Sequence, residues 1–244
     1  MNNGLYAACA GLLARTQALD VAANNLANVN TGGYKGQVPR FASLLADSGR
    51  VNNAALRAVN EFGVLGESRL DLRQGSIEHT NNDLDFAIQG SGYFALQNSQ
   101  GGRLYTRNGA FHVNQQGQLT AGDGSLVLGT GGPILLPPGK VSVSAGGTIS
   151  VDGAVSGQLQ VVDFPSGTEL TPEGAAMFSA PDGTARPSTT VDVVQGALEG
   201  SNVNAVSAAV GLVNLQRNMG MLQQALTVFH SEFNRIAAQE LSRI

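Results

Sequence analysis

Apolar residues recur at alternating steps of three and four at both ends of the chain, whereas the middle follows a different pattern. Such steps place side chains along one stripe of a helix that packs against another helix. The C-terminal stripe consists of Ala205, Ala208, Leu212, Leu215, Met219, Leu222, Leu226, Phe229, Phe233 and Ile236. The N-terminal stripe consists of Leu5, Cys9, Leu12, Thr16, Leu19, Ala23 and Leu26. We call the two stripes together the assembly seam and predict that they pack against each other or against copies of themselves.

The two seams predict helices over residues 3–31 and 203–241. Gly32-Gly33 is the expected stop of the first helix, and Ser201 or Asn202 is the expected cap of the second. At 1.5 Å per residue, the helices would be roughly 40 Å and 60 Å long. The excess length of the second helix needs a partner in another molecule, unless the seam is the ordinary core of a soluble helical domain.

From about Arg69 to about Val194, apolar and polar residues alternate with a period of two, which is typical of strands. The alternating pairs are Leu70/Leu72, Val141/Val143 and Ile149/Val151. Turn signals interrupt the stretch at Asn108-Gly109, Asp123-Gly124, Pro138-Gly139, Asp152-Gly153 and Asp182-Gly183. This pattern predicts a compact antiparallel β domain.

The predicted fold is therefore α+β, with a discontinuous β-rich domain inserted between long N- and C-terminal helices that pair as a coiled-coil-like hairpin. The predicted helical domain combines residues 1–32 with 203–244. An extended connector combines residues 33–68 with 190–202, and the β-rich outer domain spans residues 69–189.

Charged residues make up 13% of the chain, against a typical value of about 25%. Either neighbouring molecules cover much of the surface, or the composition of a glycine-rich protein has simply drifted. A net charge of −4 without any basic cluster argues against nucleic-acid binding. No apolar run approaches the length of a membrane-spanning helix, and the N-terminus lacks the pattern of a cleavable signal peptide. The single cysteine, Cys9, excludes an internal disulfide framework and suits a small buried hydrophobe.

Candidate chemistry is sparse. The histidines His79, His112 and His230 lack metal-ligand spacing, although Glu78, Asp83 and Asp85 lie near the first of them. Asp83 and Asp85 also have a spacing that permits paired carboxylates for glycoside cleavage, but the chain has no tryptophan to line a sugar groove. The glycine-rich stretches at residues 90–92 and 129–132 lack the rest of a nucleotide-binding motif and are interpreted as turns. We therefore predict no catalytic, cofactor or metal site.

Four segments carry a family resemblance. Residues 23–35 (ANNLANVNTGGYK) resemble the N-terminal signature of the bacterial flagellar rod and hook proteins. Residues 83–94 and 105–111, which include DLDFAIQG, GYF and YTRNGAF, resemble the β-domain motifs of that family. Residues 198–203 (LEGSNV) resemble its entry into the terminal helix. The motifs follow the family's order and cover most of the chain.

The resemblance implies a structural, non-enzymatic subunit of the flagellar basal-body rod in the periplasmic space. The length, and the end of the chain at residues 233–239, resemble the proximal-rod type more than the distal-rod type. Asn218 and Met219 depart from the aromatic and Glu that are frequent there in the family. The implied partners are other proximal and distal rod subunits and the flagellar type III export apparatus. Terminal helices of the family form the inner tube, so we expect the hydrophilic, almost uncharged face of the second helix to line a channel, through Gln216, Gln223, Gln224, Thr227 and Ser231.

Other interpretations remain open at this point. They are a distal-rod or hook-type axial subunit, a peptidoglycan-active enzyme with a β catalytic domain, and an adhesin or filament of unrelated origin.

Overall fold

The structure is a computed structural model that describes residues 2–39, 41–42, 64–65, 68–174, 176–188 and 191–241. Side chains are described for residues 11–39, 68–174, 176–188, 191–228, 231 and 235. The chain divides into two compact units. The helical unit comprises Met1–Ala27, Gln37–Arg69 and Ala205–Ile244, and the strand unit comprises Asn28–Gly36 and Leu70–Asn204.

Two long helices in contact with each other form most of the helical unit: α1 (Asn2–Ala27) and α2 (Ala205–Leu241). The strands β1 (Gln37–Val38), β2 (Phe41–Ala42) and β3 (Val64–Leu65) belong to the same unit. β2 and β3 pair antiparallel. Neither described helix combines the length and the apolar character needed to cross a bilayer.

The predicted helices are present, but their ends differ from the prediction. α1 ends at Ala27 rather than at residue 31, because Asn28 starts a turn in which its carbonyl accepts the Thr31 N–H at 3.1 Å. α2 begins at Ala205, so neither Ser201 nor Asn202 is its cap. Asn202 is instead engaged by backbone groups of the strand unit, as described below.

The strands that follow are β4 (Arg69–Leu70), β5 (Ile77–His79), β6 (Phe86–Ile88), β7 (Tyr93–Gln97), β8 (Arg103–Thr106), β9 (His112–Val113), β10 (Leu119–Thr120), β11 (Leu126–Gly129), β12 (Gly132–Pro133), β13 (Val141–Val143), β14 (Thr148–Val151), β15 (Ala154–Gln158), β16 (Val161–Asp163), β17 (Thr171–Pro172), β18 (Met177–Ser179), β19 (Arg186–Pro187), β20 (Val193–Gln195) and β21 (Ala197–Glu199).

The largest sheet has the strand order β17-β18-β8-β7-β11-β10-β9, with β12 paired to β11 and β16 paired to β7 and β19. The β7–β8 hairpin lies at its centre, with Phe94 opposite Thr106 and Leu96 opposite Leu104. β13, β14 and β15 form a separate antiparallel sheet. Two further pairs, β20 with β6 and β21 with β5, join the end of the strand unit to its beginning.

Alternating apolar side chains from these strands build a dry core. Its larger cluster contains Phe86, Ile88, Phe94, Leu96, Phe111, Leu119, Val127 and Ile149, among other buried residues. The rings of Phe94 and Phe111 meet edge to face, with centroids 5.2 Å apart. The predicted α+β class is confirmed, since two terminal helices flank a strand-rich region along the sequence.

The turn predictions have mixed outcomes. Asp152 and Gly153 both have positive φ, +49° and +85°, as a two-residue hairpin between β14 and β15 requires. Asn108-Gly109, predicted as a turn, does not form a hairpin turn: neither residue has positive φ, and the Asn108 side chain accepts the Ala110 N–H at 3.1 Å. The physical reason is a close approach of two backbones, because a Cβ on Gly109 would lie 1.7 Å from the Phe86 carbonyl oxygen.

Candidate functional site

The assembly seam lies on partly covered faces of both helices. The half-buried members with described side chains are Leu12, Thr16, Leu19, Leu26, Ala208, Leu212, Leu215, Met219, Leu222 and Leu226, whereas Ala23 and Ala205 are exposed. The side chains of Leu5, Cys9, Phe229, Phe233 and Ile236 lie outside the described ones. None of the described seam residues is fully buried. A single copy of the chain therefore leaves this apolar surface partly open to solvent.

Small residues make the deepest contacts of α1. Ala14 and Ala18 are buried, one turn apart on the same face, while Leu13, the residue before Ala14, is 61% exposed. An alanine stripe allows a neighbouring backbone to approach closely because its side chains project little. The burial maximum of α1 thus lies beside the leucine stripe rather than on it.

The face of α2 that carries the predicted channel residues is exposed and mostly polar, although exposed Val213 and Arg217 lie on it as well. Gln216, Gln223, Gln224, Thr227 and Ser231 are all exposed. The Thr227 hydroxyl donates to the Gln223 carbonyl at 2.9 Å, and the Ser231 hydroxyl donates to the Val228 carbonyl at 2.9 Å. Both hydroxyls bond back to the helix backbone. The five positions are exposed to solvent, and none of them is charged.

A second feature lies wholly within the strand unit, where three of the sequence motifs meet. Residues 28–36, 107–109 and 198–202 come together, and we call this meeting point the motif junction. The Gly33 N–H donates to the Glu199 carbonyl at 2.7 Å. The Asn202 side chain accepts the Gly36 N–H at 2.8 Å and donates to the Asp71 carbonyl at 2.7 Å. Residues 28–36, where the chain first enters the strand unit, are thereby hydrogen-bonded to residues 198–202, where it leaves that unit.

Three buried charges form the centre of the motif junction. Lys35, Arg107 and Glu199 are 1%, 3% and 0% exposed. The Lys35 Nζ lies 2.6 Å from Glu199 Oε1, and the Arg107 Nη1 lies 3.0 Å from Glu199 Oε2. One carboxylate thus joins two cations, which leaves a formal charge of +1 within the cluster.

Backbone carbonyls accept further hydrogen bonds from the two cations, whereas the buried Arg107 Nε has no hydrogen-bond partner in the described structure. Lys35 Nζ also donates to the Arg73 carbonyl at 2.8 Å, and Arg107 Nη2 donates to the Gly90 carbonyl at 2.6 Å. Burial lowers the pKa of Lys35, and the hydrogen bond and charge of Glu199 oppose that shift. The guanidinium carbon of Arg107 lies 5.1 Å from the ring centre of Tyr93, and burial raises the pKa of that tyrosine to about 12.

Glycines allow the backbones to come this close. Gly33 has φ of +68°, and a Cβ there would lie 2.3 Å from the Asn108 backbone nitrogen. A Cβ on Gly75 would lie 2.1 Å from the Gly200 carbonyl oxygen. Side chains at these two positions would separate the segments that form the motif junction.

None of the three buried charges is among the site residues predicted from the sequence. A usable signal was present, because each charge lies inside a segment that carries the family resemblance, in a chain with only two lysines. Their separation along the chain, 164 positions for Lys35 and Glu199, concealed the contact.

The carboxylates considered above for metal binding or glycoside cleavage do not form a shared site. Asp85 is buried and accepts hydrogen bonds from the Thr80 hydroxyl at 2.6 Å and the Asn82 amide at 3.0 Å, whereas Asp83 is exposed. This arrangement holds the turn before β6. In the part of the chain that the structure describes, no three His, Cys, Asp or Glu side chains are grouped as metal ligands would be.

Three family models match the chain. Residues 5–35 match "Flagella basal body rod protein", residues 87–157 match "Flagellar hook protein FlgE/F/G D1 domain", and residues 194–236 match "Flagellar basal body rod FlgEFG protein C-terminal". All three regions of the motif junction lie in or beside these matches.

Several curated proteins are similar over most of their length. The flagellar basal-body rod protein FlgF of Mesorhizobium japonicum is 32% identical over 89% of this chain and 89% of its own. FlgF of Caulobacter vibrioides is 30% identical over 100% of both chains. The flagellar basal-body rod protein FlgG of Agrobacterium fabrum is 33% identical over 91% of this chain and 94% of its own.

Proposed function

The chain belongs to the family of flagellar basal-body rod proteins, and from this premise we propose that it forms part of the proximal rod, with its terminal helices packed into the shaft. Membership makes it a structural subunit of the rod and not an enzyme. The proposal adds the position along the rod, the surfaces that assemble and the route of delivery.

The half-burial of the assembly seam is the observation that supports assembly through the helices. Leu212, Leu222 and Leu226 keep part of their apolar surface in water in a single copy. Burying a fully exposed leucine is worth about 1.5–3 kcal/mol, so the exposed fraction that remains on each of these leucines, no more than about a third, leaves up to roughly 1 kcal/mol per leucine for association. In the rod, helices of neighbouring subunits cover this surface. The coiled-coil-like pairing of α1 with α2 is part of the same proposal.

The exposed glutamines of α2 face the inside of the tube in this proposal. These neutral amides and hydroxyls hydrate readily and attract neither acidic nor basic segments of a passing chain, and Arg217 beside Gln224 adds one charge to the same surface. Such a surface suits a passage for unfolded protein. We further propose that the flagellar type III export apparatus delivers the subunit to the rod.

The proximal position is favoured over the distal one by full-length similarity to an FlgF protein. The similarity to an FlgG protein, 33% identical over 91% of this chain, keeps the distal rod as the second candidate. Locating the chain in purified basal bodies by a tag in the exposed turn at residues 115–116 decides between the two.

A pair of variants tests assembly through the seam. Leu226→Asp places a charge on a half-buried seam position, whereas Asn214→Asp places the same charge on an exposed position of α2 with almost no change in volume. We expect Leu226→Asp to abolish swimming and rod incorporation, while Asn214→Asp cells swim normally. Purified Leu226→Asp protein should keep the tyrosine fluorescence of a folded strand unit. Normal rods built from Leu226→Asp subunits would contradict the proposal.

A further inference from the structure

The buried charge cluster at the motif junction depends on a residue that comes very late in the chain. Lys35 and Arg107 precede Glu199 by 164 and 92 positions. Both ion pairs of the cluster use the single carboxylate of Glu199. Gly75 also depends on it, because its N–H donates to Glu199 Oε1 at 3.0 Å.

Without Glu199, the same packing would enclose two cations and no anion. Removing one partner of a buried ion pair is strongly destabilising because a charge then stays in a dry environment without compensation. Here the penalty is greater, since Lys35 and Arg107 also repel each other. The carbonyls of Arg73, Ile88 and Gly90 supply only partial negative charge. The carboxylate of Asp71 also acts on Lys35, but weakly, and it is already paired with Arg73.

The segment around Glu199 also completes two strand pairs. β21 pairs with β5 and β20 pairs with β6, and the Gly200 N–H donates to the Ser76 carbonyl at 2.7 Å. β6 contributes Phe86 and Ile88 to the main core. The charge cluster is therefore coupled to the apolar core through the same strands.

We propose that Glu199 is a folding latch: until it joins Lys35 and Arg107, the strand unit cannot close around its core. A newly made chain then stays open until residue 199 of 244 is available. The benefit of this delay rests on the proposed function, because an open chain suits delivery through a narrow export channel. The latch itself is a property of the isolated subunit.

Three variants of the full-length protein test the latch by urea unfolding, followed by tyrosine fluorescence. Glu199→Gln leaves two buried cations, Lys35→Met leaves one neutral ion pair, and the double variant leaves one cation. We expect Glu199→Gln to lower the folded-to-unfolded ratio by about 100- to 1000-fold, and Lys35→Met by less than about 10-fold. Adding Lys35→Met to Glu199→Gln should recover at least about 10-fold.

Hydrogen exchange in native buffer measures how far the effect spreads. Glu199→Gln should accelerate exchange in β7 and β8 together with residues 28–36, because closing of the whole unit depends on the latch. Glu169→Gln, the same change at an exposed carboxylate of the strand unit, should alter the unfolding ratio by less than about threefold.

Two results would overturn the latch. The first is a double variant that is no more stable than Glu199→Gln. Where Glu199→Gln alone fails to fold, the same comparison asks whether the double variant regains folding. The second is faster exchange confined to residues 28–36 and 197–202, with β7 and β8 still protected. Both measurements use the purified subunit, so either result leaves the rod proposal, which Leu226→Asp tests in cells, unaffected.

Discussion

Gly109→Ala is expected to destabilise the strand unit severely. An added Cβ would lie 1.7 Å from the Phe86 carbonyl oxygen and 2.7 Å from its carbonyl carbon. Ordinary contact begins near 3.4 Å, so one backbone must move by roughly 1.7 Å. Neither side of this contact is a flexible side chain that could rotate away.

The size of the effect follows from what such a shift disrupts. The Phe86 N–H donates to the Gly109 carbonyl at 3.0 Å, and Phe86 also pairs with Gln195 across β6 and β20. Losing the backbone hydrogen bond from Phe86 to Gly109 costs about 1 kcal/mol, and displacing a fully buried phenylalanine adds about 1–3 kcal/mol. We expect a total loss of about 2–4 kcal/mol, or a melting temperature lower by roughly 10 °C.

Tyrosine fluorescence suits the measurement because the chain has no tryptophan and Tyr34, Tyr93 and Tyr105 all belong to the strand unit. The matched control is Gly122→Ala, since no atom lies within 4 Å of its added Cβ and its φ is not in the positive range. That variant should stay within about 0.5 kcal/mol of the parent or gain slightly. Equal urea midpoints for the two variants would refute the argument from close backbone approach.

Two further predictions concern the channel face and the alkaline stability. Gln223→Lys should reduce secretion of later-assembling flagellar proteins while rods still form, whereas Gln115→Lys in an exposed turn of the strand unit should not; equal secretion, measured in culture supernatants, would count against the channel assignment. Burial raises the pKa of Tyr93 from 10.0 to about 12. The neutral Tyr93 hydroxyl therefore contributes fully to the free energy of unfolding below pH 10, and this contribution is lost as the pH rises from 10 to 12. The parent protein should lose roughly 2 kcal/mol of stability from this residue over that range, and Tyr93→Phe should not. Urea midpoints at pH 10 to 12 measure the difference between the two proteins, which cancels the opposite trend from the lowered pKa of Lys35. Parallel slopes would contradict the prediction.

The helices and several strands could be predicted because their signals are local. A stripe at steps of three and four specifies a helix wherever it occurs, and the alternation at residues 141–151 specifies β13 and β14. Helix ends were less accurate: α1 stops early at the local turn between Asn28 and Thr31, and Asn202 bonds to Gly36 and Asp71, which the sequence does not identify as its neighbours. The Asn108-Gly109 prediction failed for the same kind of reason. Its glycine serves a contact with Phe86 and not a local turn.

The exposure of the candidate site residues also has a part that the helical period predicts and a part that depends on assembly. Half-buried leucines and exposed glutamines on α2 follow the helical period, so their relative exposure agrees with a pattern visible in the sequence. Whether these faces pack in a tube and line a channel stays a prediction.

By itself, the sequence determined the element types, the apolar stripes of the helices and the family, because each depends on nearby residues or on motifs in order. The tertiary structure alone decided that Lys35, Arg107 and Glu199 share one dry site. Charges separated by 92 and 164 positions have no periodic relation to one another. Strand pairing brings them together, and burial then makes their contact strong, because little water remains to screen it.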